Sequence, residues 1–232
     1  IDADRAHVVG NTVIDALLWV RDRVTSTADA KLPSFLAQNT DGEAPPSALI
    51  DFLVERRSLD DPNERPLMLV TGHRRENHGE GFQQIIEGLR RLAEAHPEGR
   101  IVYPVHLNPN VKGPVTEALS GVDNVDLISP VDYAPFVFLM EQSTVILTDS
   151  GGIQEEAPSL GKPVFVMRDT TERPEAIEAG VAELVGADAD RIVERVERVL
   201  DNADAYAAMA HESNPFGDGR AAERIVEVLK SK

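Results

Sequence analysis

The chain has 232 residues, of which 42% are hydrophobic, and this length suits one domain with a substantial buried core. It has no cysteine, which excludes disulfides and thiolate metal sites. No apolar run approaches the roughly 20 residues of a bilayer span, which excludes a membrane helix, and we expect a cytoplasmic protein with no membrane partner. Asp and Glu number 40 against 23 Lys and Arg, a net charge of −17, and such a field repels phosphate backbones, so nucleic acid is not an expected partner.

The first 65 residues are predicted to be a helical and loop lead-in. Residues 12–24 have helical apolar spacing with Thr12 as the expected N-cap. Residues 31–64 carry Pro45-Pro46 and Asp41-Gly42 and are predicted to be loop with one helix near 47–58. No strand here is strong enough to begin a second sheet. The chain starts at Ile1, and we expect it to be a piece of a longer protein.

Residues 66–200 alternate short apolar runs with longer amphipathic stretches. Near-continuous apolar runs are typical of parallel strands covered on both faces, and the alternation predicts an α/β, Rossmann-like, three-layer domain. We expect a single domain of residues 1–232, in which residues 201–232 add C-terminal helices. The predicted strands are 67–71, 101–106, 125–128, 145–148, 164–167 and 182–185, and the predicted helices are 81–95, 110–120, 133–142, 152–159, 173–179, 188–200, 203–211 and 218–230.

A glycine pair follows the fourth predicted strand, at the edge where open α/β sheets bind ligands. Ser150, Gly151 and Gly152 precede a predicted helix, whose free amides and positive dipole end suit a phosphate. Glu156 lies further along this helix, where a carboxylate could accept hydrogen bonds from a ribose diol. The alternative is an ordinary glycine-rich turn, with Ser150 as a helix cap and Glu156 in solvent.

Basic residues follow the first and fifth predicted strands. His73 and Arg74 could bind a diphosphate, because guanidinium groups suit bidentate phosphate contacts and imidazole titrates near neutrality, or they could form a salt-bridge cluster at a helix start. Arg173 could join them or be solvated. His106 and Phe136 could contact a ligand, or could be a satisfied strand-end histidine and a core aromatic. No His, Asp or Glu set has metal-ligand spacing, and we expect no metal.

Five motifs resemble, in order, those of the non-hydrolysing UDP-N-acetylglucosamine 2-epimerases. They are GNTVID at 10–15, TGHRREN at 71–77, YPVHLNP at 103–109, LTDSGGIQEEAP at 147–158 and RDTTERPE at 168–175. The likeness runs from Val9 to the end of the chain and corresponds to the C-terminal half of the family's chain. It implies the UDP-holding C-terminal lobe of a GT-B fold. It also implies interconversion of UDP-GlcNAc and UDP-ManNAc by elimination and re-addition of UDP, without a cofactor, for cell-surface polysaccharide synthesis.

The resemblance also implies roles for individual residues. Carried over motif by motif, these are a catalytic or phosphate-contacting histidine at His73, diphosphate binding at Ser150, Gly151 and Gly152, ribose binding at Glu156, a uracil-side phenylalanine at Phe136, UDP binding at Arg173, and a regulatory UDP-GlcNAc site at Arg74 and His106. The family's N-terminal lobe, which carries the groups assigned to proton abstraction at C2, has no counterpart in this sequence. The chain alone is therefore expected to be inactive, and the complete protein is expected to be a homodimer.

Other functions share some of these features. A GT-B glycosyltransferase donor domain or a hydrolysing epimerase would have the same fold and the ribose-binding glutamate. A non-catalytic nucleotide-sugar sensor would have the binding residues without the reaction. The strings from Gly72 to Asn77 and from Thr170 to Glu175 favour the non-hydrolysing epimerase over the first two.

Overall fold

The computed structural model describes residues 6–39, 41–77, 79–211 and 214–231. These residues form one parallel sheet with helices on both faces, which confirms the predicted α/β, Rossmann-like fold. The strands are β1 (Leu67–Thr71), β2 (Arg100–Pro104), β3 (Val125–Ile128), β4 (Val145–Thr148), β5 (Val164–Val166) and β6 (Ala182–Leu184). The helices are α1 (Thr12–Val24), α2 (Leu32–Leu36), α3 (Ser47–Arg57), α4 (Glu80–Ala95), α5 (Pro109–Leu119), α6 (Tyr133–Gln142), α7 (Gly151–Glu156), α8 (Pro174–Glu178), α9 (Ala189–Leu200), α10 (Ala203–Met209) and α11 (Ala221–Lys230).

Alternating side chains of the strands build two hydrophobic layers. In β1, Met68 and Val70 pack with α4, α5 and α9 on one face, whereas Leu67 and Leu69 pack with α1, α3 and α6 on the other. Successive side chains of a strand point to opposite faces, so a run that is apolar throughout can be covered on both sides. This explains both the apolar runs in the sequence and the three layers.

The strand order β3-β2-β1-β4-β5-β6 places the change of winding direction between β1 and β4. In register, Thr71 pairs with Thr148, and their hydroxyl oxygens lie 2.6 Å apart. Ligands of doubly wound sheets bind in the crevice outside the carboxyl ends of strands at such a switch point. The segments that follow β1 and β4 therefore emerge side by side at the edge where a ligand is expected.

The lead-in differs from its prediction in two places. The predicted N-cap at Thr12 is wrong, because Asn11 caps α1 with its side-chain oxygen, which accepts from the Val13 amide at 3.0 Å. Residues 31–64 contain α2 as well as the predicted α3. Leu32 and Leu36 are buried one helical turn apart, and this single turn is too short to recognise by periodicity.

The C-terminal helices begin and end close to their predicted limits. The predicted helix 218–230 starts at Ala221, because the Asp15 carboxylate accepts from the Ala221 and Ala222 amides at 3.1 and 2.8 Å. The two ends of the described chain thus meet at α1 and α11.

Strand β2 ends at Pro104 rather than at the predicted residue 106, so His106 lies in the loop beyond it. None of the helices in the described ranges has the length and hydropathy of a bilayer-spanning segment.

Candidate functional site

Asp149 joins the segments that leave β1 and β4. Its side chain is 1% exposed, and Oδ2 accepts from the backbone amides of His73 and Arg74 at 2.9 and 2.8 Å. The Asn77 side chain approaches the same oxygen at 3.5 Å and donates to the Met167 carbonyl at 3.0 Å. A buried carboxylate thus fixes the loop after β1 against the start of α7.

The two predicted histidines lie in contact. Their rings stack with centroids 5.2 Å apart and planes 15° apart. His106 Nδ1 accepts from the Asn108 amide at 3.1 Å, whereas His73 Nδ1 lies 3.5 Å from Asp149 Oδ1. His106 thus has a protein hydrogen-bond partner, as one of the two alternatives predicts, and its ring also packs against that of His73.

Ser150, Gly151 and Arg74 surround one space at the start of α7. Ser150 occupies the N-cap position, as the alternative interpretation has it, but its hydroxyl makes no hydrogen bond to the helix amides. A Cβ built on Gly151 would lie 3.8 Å from the Arg74 guanidinium, and one on Gly152 would lie 3.9 Å from the Ser150 hydroxyl. Within the described residues the Arg74 guanidinium has no hydrogen bond or ion pair. Its charge is thus available to an anion.

Arg168 hydrogen-bonds to two carboxylates near this space and offsets part of their charge. Its side chain is 4% exposed, and it donates to both Glu172 oxygens at 2.7 and 2.9 Å and to the Glu76 carboxylate. The Arg168 hydrogen bonds lower the pKa of Glu172 to about 2, and the same bonds to Glu172 raise the pKa of Arg168. Because both carboxylates hydrogen-bond to Arg168 and neither does to Arg74, the Arg74 guanidinium is available to bind an anionic ligand.

Arg173 is held by a chain of polar contacts rather than being free in solvent. Its Nε donates to Glu155, and its Nη1 donates to the Glu172 carbonyl at 3.0 Å. The other Glu155 oxygen accepts from the Asn11 side chain at 2.6 Å. The structure thus brings Arg173 to the same edge as His73, with part of its charge already offset.

Gln154 connects the loop after β5 to α7. Its amide nitrogen donates to the Ser150 carbonyl at 3.1 Å, and its oxygen accepts from the Thr171 hydroxyl at 2.5 Å. The Thr171 hydroxyl also accepts from the Arg173 amide at 3.0 Å. These bonds fix the distance between Ser150 and Arg173, and α7 continues after Glu156 as a 3₁₀ turn.

Glu156 is buried, so the alternative of a solvated Glu156 is wrong. Its side chain accepts from the Tyr133 hydroxyl at 2.8 Å, and burial raises the pKa of Glu156 although this hydrogen bond opposes the rise. Burial and the same contact raise the pKa of Tyr133. Phe136 lies one turn further along α6 and is half-buried against the core. Glu156 and Tyr133 thus form a hydrogen-bonded pair, which together with Phe136 on the helix of Tyr133 we call the second part of the candidate site.

The sequence interpretation did not assign roles to Asp149, Tyr133 or Arg168. Asp149 could have been found from its place directly after a buried strand, where a carboxylate has few neighbours to solvate it. Tyr133 gave no signal, because its partner Glu156 lies 23 residues away. Arg168 has one partner, Glu172, only four residues away, but its other partner, Glu76, lies at a distance of 92 residues.

Comparison with known proteins identifies relatives of the whole chain. Residues 1–230 match the family model described as UDP-N-acetylglucosamine 2-epimerase. The chain is 51% identical to the UDP-N-acetylglucosamine 2-epimerase of Yersinia pestis over 231 residues, which are all of this chain and 56% of that protein. It is 54% identical to the Escherichia coli K12 enzyme over 227 residues, which are 98% of this chain and 55% of that protein. The chain thus spans about half the length of the curated relatives it matches.

Solved structures share the fold. The Neisseria meningitidis UDP-GlcNAc 2-epimerase bound to UDP-GlcNAc matches all of this chain and 57% of its own, with a TM-score of 0.81 and 42% identity. The Staphylococcus aureus MnaA structure with UDP matches 99% of this chain and 55% of its own, with a TM-score of 0.79 and 35% identity. Both support the predicted GT-B lobe.

Proposed function

This chain belongs to the UDP-N-acetylglucosamine 2-epimerase family, and we propose that it is the UDP-binding part of an epimerase that interconverts UDP-GlcNAc and UDP-ManNAc. The family model covers residues 1–230, and a similar protein has been solved with UDP-GlcNAc bound. In the proposed reaction, loss of UDP from C1 and of the proton from C2 gives a 2-acetamidoglucal. UDP then adds back at C1 with its configuration kept, and a proton adds to C2 on the opposite face. The protein consumes no cofactor in this proposal.

The observation that carries the proposal is the convergence of unpaired donors at one sheet edge. Arg74, the Ser150 hydroxyl and the amides of Gly151 and Gly152 surround one space, although the net charge of the chain is −17. Charge-assisted donors of this kind suit a diphosphate. The resemblance gives Arg74 a regulatory role instead, but its position beside Gly151 supports a direct phosphate contact.

The second part of the site fits the nucleoside of UDP. Glu156 has one oxygen bonded to Tyr133, and its other oxygen can accept from a ribose hydroxyl. Phe136 presents a half-buried aromatic ring on the same helix as Tyr133, which suits the uracil. The diphosphate and nucleoside parts are joined by α7 itself, because Ser150 precedes this helix and Glu156 ends it.

In the proposed chemistry, the main task of this part of the protein is to stabilise the negative charge of the departing diphosphate. Elimination breaks the bond between C1 and the β-phosphate oxygen while a proton leaves C2. The released UDP carries more negative charge than the bound substrate at that oxygen. Donors already fixed around the diphosphate stabilise this developing charge, and the imidazole of His73 can donate a hydrogen bond to it.

Titration with UDP tests the binding proposal. Replacing Ser150 by alanine or Arg74 by glutamine is expected to weaken UDP binding by about 1.5–3 kcal/mol, roughly 10- to 150-fold, since each loses a charge-assisted contact. Arg173→Gln is expected to cost less, because Arg173 already pairs with Glu155. Calorimetry on the purified chain measures each dissociation constant.

A matched control is Arg198→Gln. Arg198 also pairs with a carboxylate, that of Glu183, but this pair lies at the outer strand β6. We expect unchanged UDP affinity in this variant. Unchanged affinity in the Ser150, Arg74 and Arg173 variants as well would contradict the site assignment.

Glu156→Gln is expected to weaken UDP binding and to increase the stability of the folded chain. Burial raises the pKa of Glu156 in the folded state above its ordinary value of 4.5. The folded chain therefore loses stability as pH rises from the pKa of the unfolded state to that of the folded state, because the buried carboxyl group must ionise. This loss of stability is complete at neutral pH. Glutamine keeps an acceptor for Tyr133 without this cost. We expect a higher melting temperature than the wild type at pH 7, a difference that disappears as pH falls towards 4.5, and roughly tenfold weaker UDP binding.

Two measurements isolate the ribose contact. Glu117→Gln, which changes an exposed carboxylate on α5, is expected to alter neither the melting temperature nor the affinity. Wild-type protein should prefer UDP over 2′-deoxy-UDP, and Glu156→Gln should lose much of that preference. A variant that keeps the full preference would show that Glu156 does not read the ribose.

Products distinguish the epimerase from the alternative functions. With UDP-GlcNAc and a protein that has the full length of the relatives, a non-hydrolysing epimerase forms UDP-ManNAc. A hydrolysing enzyme forms free ManNAc and UDP, and a glycosyltransferase forms a transferred sugar. The homodimer of the complete protein, its cytoplasmic location and its role in cell-surface polysaccharide synthesis stay predictions from the resemblance.

A further inference from the structure

Asp149 has one carboxylate oxygen whose only close polar neighbour in the described structure is an imidazole nitrogen. We propose that Asp149 is a positioning residue that fixes the tautomer of His73, with the ring proton on Nδ1 and Nε2 left to face a ligand. No covalent step is involved. The part of the proposal that concerns the ligand rests on the proposed function, whereas the tautomer itself does not.

The two oxygens of Asp149 have different surroundings. Oδ2 accepts from two backbone amides, those of His73 and Arg74, and these bonds fix the direction of the carboxylate. Oδ1 is buried and has no hydrogen bond, and His73 Nδ1 lies 3.5 Å away. A buried carboxylate oxygen without a donor costs free energy, and a proton on His73 Nδ1, 3.5 Å away, lowers this cost by electrostatic attraction. The environment thus favours the Nδ1–H form of His73.

His106 is held in the opposite form. Its Nδ1 accepts a hydrogen bond from the Asn108 amide, so in the neutral ring the proton is on Nε2. The two rings stack, and two positive charges at that separation repel each other. Arg74 follows His73 in the chain and brings a positive charge, and the pKa of Glu172 is lowered first by its hydrogen bonds to Arg168 and further by Arg74. Among the described residues, Asp149 is the anion within ion-pair distance of His73.

This arrangement leaves a defined atom for the ligand. The His73 side chain is 41% exposed, and its Nε2 has no protein partner among the described residues. With Nδ1 protonated, Nε2 donates a hydrogen bond to an anionic oxygen when the ring is charged and accepts a proton when the ring is neutral. With the reverse tautomer, the neutral ring could not accept a proton at Nε2. Asp149 would act on the diphosphate through His73 without touching it.

The test is the tautomer of each ring in the free chain. Long-range ¹H–¹⁵N correlation spectra at alkaline pH, assigned with His73→Gln and His106→Gln, distinguish the two forms. We expect His73 to carry its proton on Nδ1 and His106 on Nε2. In Asp149→Asn the amide oxygen can still accept from the loop amides, but the amide nitrogen then faces His73 Nδ1 and donates to it. We expect the His73 tautomer to reverse in a variant that keeps the dispersed amide spectrum of the folded chain, a condition that is needed because an unfolded histidine also favours the Nε2–H form.

Asp126→Asn is the matched control. Asp126 is also a buried carboxylate, 4% exposed, but it pairs with Arg100 between β2 and β3, so His73 should keep its tautomer in this variant. A wild-type His73 with its proton on Nε2 would overturn the proposal even if Asp149→Asn failed to fold. If the wild-type chain did not bind UDP, this result would contradict the proposed function but would leave the tautomer result unaffected.

Discussion

Replacing Gly151 by alanine is expected to remove UDP binding from a chain that stays folded, and the larger valine is expected to block the diphosphate more completely. A Cβ at this position would lie 3.8 Å from the Arg74 guanidinium, which is an ordinary van der Waals contact, so the free protein has room for it. The methyl group would stand between the amides of α7 and the guanidinium, where the diphosphate is proposed to lie. Loss of at least two charge-assisted contacts costs about 3 kcal/mol or more, roughly 100-fold or more in affinity.

Gly113→Ala provides the matched comparison. Gly113 also lies in a helix, α5, and a Cβ there meets nothing within 4 Å. Both alanine variants should match or slightly exceed the wild type in thermal stability, because alanine favours a helix over glycine by about 1 kcal/mol. Only the Gly151 variants should lose UDP in calorimetry. Wild-type affinity in Gly151→Val would show that the diphosphate lies elsewhere.

The sheet was predictable because its strands carry their own signal. Residues 67–71, 125–128 and 145–148 are predicted strands whose limits the structure reproduces, since each is a short apolar run between polar segments. The edge that binds ligands follows from the same pattern, because parallel strands present their carboxyl ends together. The candidate residues Ser150, His73 and Arg173 were found by their position after such runs.

The contacts that organise the site were not predictable, because they join residues far apart in the chain. Asn11 reaches Glu155 across 144 positions, and Arg168 reaches Glu76 across 92. A charged residue in a loop has the same local sequence whether it is solvated or paired. The burial of Glu156 likewise depends on Tyr133 in a different helix. Only the folded arrangement of the loops decides which charges remain free.

Pairing also explains how an acidic chain can offer an anion site. Arg168 binds Glu76 and Glu172, and Arg173 with Asn11 binds Glu155. Each of these carboxylates near the space at the start of α7 thus has a local cation or amide donor. The field from the remaining acidic surface is screened by salt over about 10 Å at 0.1 M. The short-range donors therefore decide whether a diphosphate binds.

The same pairing predicts that the chain on its own will not exchange the C2 proton of UDP-GlcNAc. A general base for this proton must lie free beside the sugar. In the described part of the chain the carboxylates around the space at the start of α7 are engaged with protein donors: Asp149 with loop amides, Glu155 with Arg173, Glu156 with Tyr133 and Glu172 with Arg168. The free Nε2 of His73 is proposed to face the diphosphate rather than C2. We propose that the additional length of the relatives supplies the base, and its absence costs about 10²–10⁴-fold in rate or more.

Deuterium uptake at C2 measures this step directly. UDP-GlcNAc incubated in D₂O with the chain is expected to gain no deuterium at C2 and to form no UDP-ManNAc, while calorimetry on the same sample still shows UDP binding. The Escherichia coli relative, of which the chain spans 55%, serves as the positive control and should exchange and epimerise. Exchange by the chain at the rate of that enzyme would mean that His73, or one of the paired carboxylates released when substrate binds, acts as the base. For Glu155 to be that base, its ion pair with Arg173, only 12% and 35% exposed, would have to open in the complex. Abolition of the exchange by His73→Gln or by Glu155→Gln would identify which group it is.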